Sequence, residues 1–202
     1  MPQLVSPYRL HVLKWQNGCG NGICDSAVKK CFVRGTVPCD VLFVGEAPGE
    51  SENVLGEPFV GPAGKLIDRI ILEAFTWTSF SHALTNLVCC IPRDEDGNKA
   101  TEPVSDEIEN CRPRLNELMK LCKPRMLVCV GQLSKEFVLG LRPRQSLINQ
   151  IDWLPRGKTL QLVDIVHPAA ILRANYAQQG FMIRKAIVTL SNALEDLRAA
   201  YS

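Results

Sequence analysis

The sequence predicts an α/β fold: three layers, α/β/α, around a central, mainly parallel sheet of four strands. Three observations predict it. Four short strand-like segments, residues 41–44, 83–88, 126–130 and 160–166, are spaced along the chain. Between and after them lie stretches with apolar residues three or four apart, the spacing of amphipathic helices. The first run breaks into a glycine-punctuated loop. Strand, glycine loop, helix is how open α/β folds build a site at the carboxyl end of a sheet.

Size and composition set the frame. The chain has 202 residues, enough for one domain, 1–202, in which residues 1–40 form a cysteine-bearing N-terminal segment. Apolar residues make up 46% and charged residues 22%, the balance of a soluble globular protein. No apolar run approaches bilayer length and the N-terminus lacks a signal-peptide core, so a cytoplasmic protein with no membrane partner is expected. A net charge of +2 leaves any nucleic-acid binding to a local basic face. The nine cysteines are an odd number without a secretory signal, which argues against a disulfide framework. They are core hydrophobes or metal ligands.

The elements follow in order. Cys19 and Cys24 share a glycine-bearing loop that can aim two thiols at one centre. Strand 41–44 runs into Gly45-Glu46-Ala47-Pro48-Gly49, and a loop containing Phe59 leads to a helix over about 64–75. Strand 83–88 carries Asn86 and ends in Cys89-Cys90. A turn-rich loop follows, and Ser105 is placed to cap a helix that buries Ile108, Cys111, Leu115, Leu118, Met119 and Cys122. Strand 126–130, whose Cys129 is a core residue, ends in Gly131 before a helix carrying Leu133, Phe137 and Val138. Residues 140–158 form a basic connection with Arg142, Arg144, Arg156 and Lys158. Strand 160–166 meets His167-Pro168, and a final helix covers about 178–199. The acid loop, Asn86 and the His-Pro loop thus follow the carboxyl ends of strands and share one sheet edge.

The combination resembles the uracil-DNA glycosylase superfamily, most closely its iron–sulfur branch, family 4. The residues that carry the resemblance are Gly45–Gly49, Gly56-Glu-Pro-Phe59-Val-Gly61-Pro-Ala-Gly64, Thr85-Asn86-Leu-Val, and His167-Pro168 with Leu172-Arg173. It implies hydrolysis of the bond between uracil and deoxyribose after the base has left the stack, as the first step of base-excision repair. By this resemblance Phe59 stacks on the base, Asn86 reads it, and His167 donates to the developing anion. Glu46 is the acid that positions water or stabilises the sugar cation, and Glu52 is a second acid for water or for holding the loop. Gly45, Ala47, Pro48 and Gly49 line the substrate, Arg173 pairs with phosphate, and Ile171 or Leu172 wedges into the vacated stack. The implied cofactor is a [4Fe–4S] cluster on Cys19, Cys24, Cys90 and Cys111. Four thiolates suit zinc equally by count. Cys89 is expected off the cluster, because neighbours on a strand point to opposite faces.

Several positions depart from the family pattern. The first cysteine pair is spaced C-x4-C instead of C-x2-C, Asn53 stands for aspartate, Ala169 for serine and Cys89 for lysine. The expected partner is uracil-containing DNA, single- or double-stranded, bound by a monomer. A non-catalytic DNA-binding or DNA-polymerase-associated module of the same fold is the alternative. Intact Glu46, Phe59, Asn86 and His167 argue against it. A nucleotide-binding enzyme is a third reading, but neither a P-loop nor a dinucleotide glycine pattern is present.

Overall fold

Strands buried on both faces need apolar residues at every position, and that is how the central strands read. In a computed structural model of the chain, which describes residues 6–19, 27–94, 96–98, 100, 102–141 and 152–201, β2 (Val41–Gly45) and β4 (Met126–Val130) are buried at every residue. β3 (His82–Asn86) flanks β2, and β5 (Gln161–Ile165) flanks β4. β1 (Arg34–Gly35) adds a two-residue antiparallel edge, so the sheet has five strands in the order β1-β3-β2-β4-β5. The four expected strands are all present and mutually parallel. The fifth escaped notice because two residues carry no periodicity.

Side-chain alternation splits the core in two. Leu42, Val44, Leu127 and Cys129 face one layer, made by α1 (Pro7–Trp15), α4 (Ser105–Cys122) and α5 (Gln132–Val138). Val41, Phe43, Val128 and Val130 face the other, made by α3 (Pro62–Ala74) and α7 (Tyr176–Tyr201). The α3 stripe Ile67, Ile70, Ile71 and Ala74 is buried as its spacing requires. Two short helices, α2 (Glu50–Leu55) and α6 (Pro168–Arg173), were not expected; at six residues each they are too brief for an apolar period. Ser105 is the first helical residue of α4 and not its cap. Val104 occupies the cap position, and its N–H donates to Glu107 at 2.8 Å.

The sheet register positions the site. Gly45 pairs with Asn86 at the carboxyl end of β2 and β3, and the Gly131 N–H donates to the Ile165 carbonyl at the end of β4 and β5. The N-terminal segment is stitched to the same edge, with the Cys31 N–H donating to the Cys89 carbonyl at 2.8 Å. At the opposite edge Asp40 accepts from Arg125 and from Ser81. Lys158 bonds the Ala200 carbonyl near Arg125 and Tyr201, so it lies at this opposite edge and adds nothing to a basic track beside the site. Arg142 and Arg144 lie outside the described residues.

Phe43 is fully buried at the centre of one layer, whereas Leu72 on α3 is 73% exposed. Phe43→Ala is expected to lower stability by about 3–5 kcal/mol and Leu72→Ala by less than about 0.5 kcal/mol. Urea denaturation of the two variants checks the contrast.

Candidate active site

The glycine at the end of β2 decides what surrounds it. A Cβ placed on Gly45 would lie 2.4 Å from Asn86 Oδ1 and 2.5 Å from Phe59 Cζ. Amide and ring therefore converge over a backbone that only glycine leaves open. Phe59 itself has φ +58°, a left-handed conformation that is uncommon for an aromatic residue. It is held there from two sides. Gly64 on α3 packs so closely that a Cβ would lie 1.9 Å from the Phe59 carbonyl oxygen. Glu52 grips the residues that follow: Oε1 accepts from the N–H groups of Val60 (2.9 Å) and Gly61 (2.7 Å), and Oε2 from that of Gly49 (3.0 Å).

Glu52 therefore spends both carboxylate oxygens on the loop. Of its two expected roles, water binding and loop holding, the geometry displays the second. The same bonds engage the Gly49 N–H, and Pro48, which has none, is buried.

Glu46 has a different environment. Its carboxyl is pushed up from the ordinary carboxylate range, first by burial and then by Glu102; the Leu133 backbone and Arg173 pull it down. Across Gly131, which has φ +100°, a Cβ would meet Glu46 Oε1 at 2.3 Å and the His167 Cβ at 3.2 Å. Gly131 thus lets the acid and the imidazole approach each other from two different strand ends. His167 caps α6, its Nδ1 accepting the Ala169 N–H at 3.1 Å. That bond leaves Nε2 as the nitrogen that carries the ring's proton. The Ala169 N–H is the one that fixes the tautomer, so the missing hydroxyl at this position does not disturb it.

Glu46, His167 and Arg173 line one cavity of about 370 Å³, together with Glu102, Gln132 and Asp164. Arg173 is exposed in the last turn of α6. Phe59 and Asn86, only 6% and 2% exposed, are not among the cavity-lining residues. They stand behind Gly45, one residue from Glu46. Ile171 is fully buried and Leu172 is 44% exposed, so of the two wedge candidates only Leu172 faces outward. Asn98 belongs to a turn closed on Asp94, whose Oδ1 accepts its N–H at 2.8 Å.

The cysteines gather on the other side of β3. Cys89, Cys90 and Cys111 are buried, with Cys89 Sγ 3.8 Å from Cys90 Sγ and 3.7 Å from Cys111 Sγ. Cys19 packs against the same core, and Cys24 lies outside the described residues. The expectation that Cys89 points away from Cys90 fails for a simple reason. β3 ends at Asn86, so strand alternation no longer governs residues 89 and 90. The Cys111 thiol is lowered to about 5 by its hydrogen bond with Cys89 and by Arg114, against burial. Cys31 is opposite in character: burial raises it to about 12, and its thiol donates to the Glu52 carbonyl. Cys122 and Cys129 are core residues as expected.

Among the described residues no group of three or more His, Cys, Asp or Glu side chains is spaced to hold a metal ion. The donor chemistry nonetheless fits a thiolate-bound centre. Buried sulfurs surround a fully buried cation, Arg114, whose Nε has no hydrogen-bond partner. Sequence reading missed Arg114. The available signal was its place three residues after Cys111 and one before Leu115, on the stripe that buries Ile108, Leu115 and Leu118. In the sequence Gly131 shows only the end of a strand.

The profile of the Uracil DNA glycosylase superfamily matches residues 32–196, which take in β2, Phe59, Asn86 and His167. The chain belongs to the uracil DNA glycosylase superfamily. It is 31% identical over 147 residues to the type-4 uracil-DNA glycosylase of Archaeoglobus fulgidus, covering 68% of this chain and 69% of that one. To the type-4 uracil-DNA glycosylase of Sulfurisphaera tokodaii it is 32% identical over 160 residues, 71% of this chain and 70% of the other. The structure of Pedobacter heparinus SMUG2 shares the fold, with a TM-score of 0.54 at 14% identity, over 94% of this chain and 82% of that one.

The superfamily loop from Gly45 to Gly64 depends on Glu52. Glu52→Gln leaves an amide nitrogen facing a backbone N–H donor, and it is expected to cost about 1–3 kcal/mol. Thermal and urea unfolding measure the loss. Glu57→Gln, a change in the same loop at a residue that makes none of these bonds, is the control.

Proposed function

We propose that the chain is a uracil-DNA glycosylase that hydrolyses the N-glycosidic bond of a flipped-out uracil and so initiates base-excision repair. The observation that carries this reading is the convergence of Asn86 Oδ1 and the Phe59 ring over Gly45, one residue from Glu46. Membership of the superfamily and the type-4 relatives support it.

The geometry supports the following roles. A planar base stacks on the Phe59 ring next to Gly45. Asn86 pairs with uracil N3–H and O4, where cytosine presents the reverse pattern of donor and acceptor. His167, with its proton on Nε2, donates to the oxygen that gathers charge as the base leaves. Glu46, as the carboxylate, faces the sugar, where it orients the attacking water and stabilises positive charge. Glu52 holds Gly49, Val60 and Gly61 and so places Phe59. Arg173 meets a phosphate, and Leu172 fills the space left in the stack. DNA is the partner, and the protein works as a monomer in the cytoplasm.

Cys19, Cys24, Cys90 and Cys111 would hold the [4Fe–4S] cluster. It would supply a structural tie between the N-terminal segment and α4.

Release of uracil from an oligonucleotide carrying one U, read as strand scission after alkali, tests the activity. His167→Ala and Glu46→Ala are each expected to lower the rate at least about a hundredfold. Cleavage that is absent in wild-type protein purified under anaerobic conditions would sink the reading. Because Glu46 acts ionised and its pKa is raised, activity falls as pH drops through that raised value. The acid limb of kcat/KM should lie above the ordinary glutamate range and vanish in Glu46→Gln. Asn86→Asp is expected to narrow the ratio of uracil to cytosine excision, and an unchanged ratio refutes the reader role.

A further inference from the structure

Arg114 is the largest fully buried side chain of the described residues, and it sits on a helix beside the apolar stripe Ile108, Leu115 and Leu118. A guanidinium cannot shed its charge by deprotonating, so burying it is tolerable only against acceptors and anions. Its oxygen acceptors all belong to one strand end. Nη1 donates to Thr85 Oγ1 at 3.1 Å, and Nη2 donates to the carbonyls of Asn86 (2.7 Å) and Leu87 (2.8 Å). On its other side it hydrogen-bonds Cys111, and the sulfurs of Cys89 and Cys90 lie near enough to act on its charge. One planar fork therefore spans the sulfur group on one side and the backbone of the base-reading residue on the other.

We propose that Arg114 is a positioning residue that couples the thiolate centre to base recognition, its charge balancing the sulfurs while its fork fixes the end of β3 at Asn86. The inference rests on the uracil-reading role of Asn86 proposed above. It also gives the thiolate centre a physical link to a pocket whose base it does not touch. Occupation of the centre secures the cation, and the cation secures the strand end. Thr85 extends the link, because its hydroxyl donates to the Phe32 carbonyl at 2.6 Å and so ties in the segment that leads to β1.

Two variants separate the charge from the fork. R114M removes both, and R114K keeps the charge but cannot span Thr85, Asn86 and Leu87 together. Whole protein is purified anaerobically. Iron and zinc per chain are measured with the visible absorbance, and affinity for free uracil is measured by NMR titration. R114K is expected to keep its metal within about twofold of wild type and to bind uracil about tenfold more weakly. R114M is expected to lose most of its metal and the same uracil affinity. Wild-type uracil affinity in R114K overturns the proposal, and that outcome stands even when R114M yields no folded protein. Full metal content in R114M overturns the charge half, as does wild-type protein that carries no metal. Wild-type protein that holds metal but neither binds nor excises uracil is a failure of the functional reading, and R114M metal content then still decides the charge half.

Discussion

The parallel pairing of Gly45 with Asn86 is the constraint on which the site depends. It puts a residue without a side chain directly beside the Asn86 amide, the group proposed to read the base. A strand register is all or nothing, because a shift of one residue turns every side chain to the other face. Slipping β3 by one would bury Asn86 against the opposite layer and bring Thr85 or Leu87 beside Gly45. The register is secured by burial on both faces of β2 and β3 and, at the end, by the Leu87 N–H donating to the Gly45 carbonyl at 2.9 Å. Core packing and substrate geometry are thus one and the same specification at this point.

Two glutamates six residues apart show how environment assigns roles. Glu52 is only 8% exposed, yet it accepts three backbone N–H groups, which replace the water it has lost. Its charge is consumed in holding a loop that contains the left-handed Phe59. Glu46 is half-buried with less compensation, one backbone hydrogen bond from Leu133 and the charge of Arg173, and a second acid, Glu102, acts on it. Desolvation then leaves its carboxyl readier to take a proton, the condition that suits a group working on a reacting centre. The strain at Phe59 belongs to the same scheme. An unfavourable backbone costs on the order of 1–3 kcal/mol and persists only where surrounding bonds over-determine it. Glu52 and the contact with Gly64 supply that determination.

Legibility in the sequence followed periodicity. Long runs with a clear period, β2, β4, α3, α4 and α7, were placed to within a few residues, because burial on one or both faces leaves a repeating mark. The site residues were legible as positions at strand ends and through the family resemblance. Their partners were not. Nothing local marks Glu52 as the acceptor of N–H groups at Val60 and Gly61, since these lie eight and nine residues away across a loop. The Cys89–Cys90 geometry was misread because alternation was carried past the end of a strand whose last residue the sequence does not announce. Arg114 was invisible for the opposite reason: a charged residue on an apolar stripe is ordinarily taken as a break in the pattern, whereas here the pattern held and the charge was buried.

That buried charge bears on why the thiols and the active site share β3. A cation enclosed without anions would cost several kcal/mol, and removing the sulfurs' negative charge would strand it. Neutral carbonyls at Asn86 and Leu87 provide dipoles but no counter-charge. The proposed link thus asks for negative charge on the sulfur group, the state that a bound metal would enforce on thiols. The same guanidinium also holds the carbonyl of Asn86, whose amide is the proposed base reader. On that proposal, stability at the sulfur side and precision at Asn86 are two consequences of one side chain, although the thiols and the Asn86 amide lie on opposite sides of the strand.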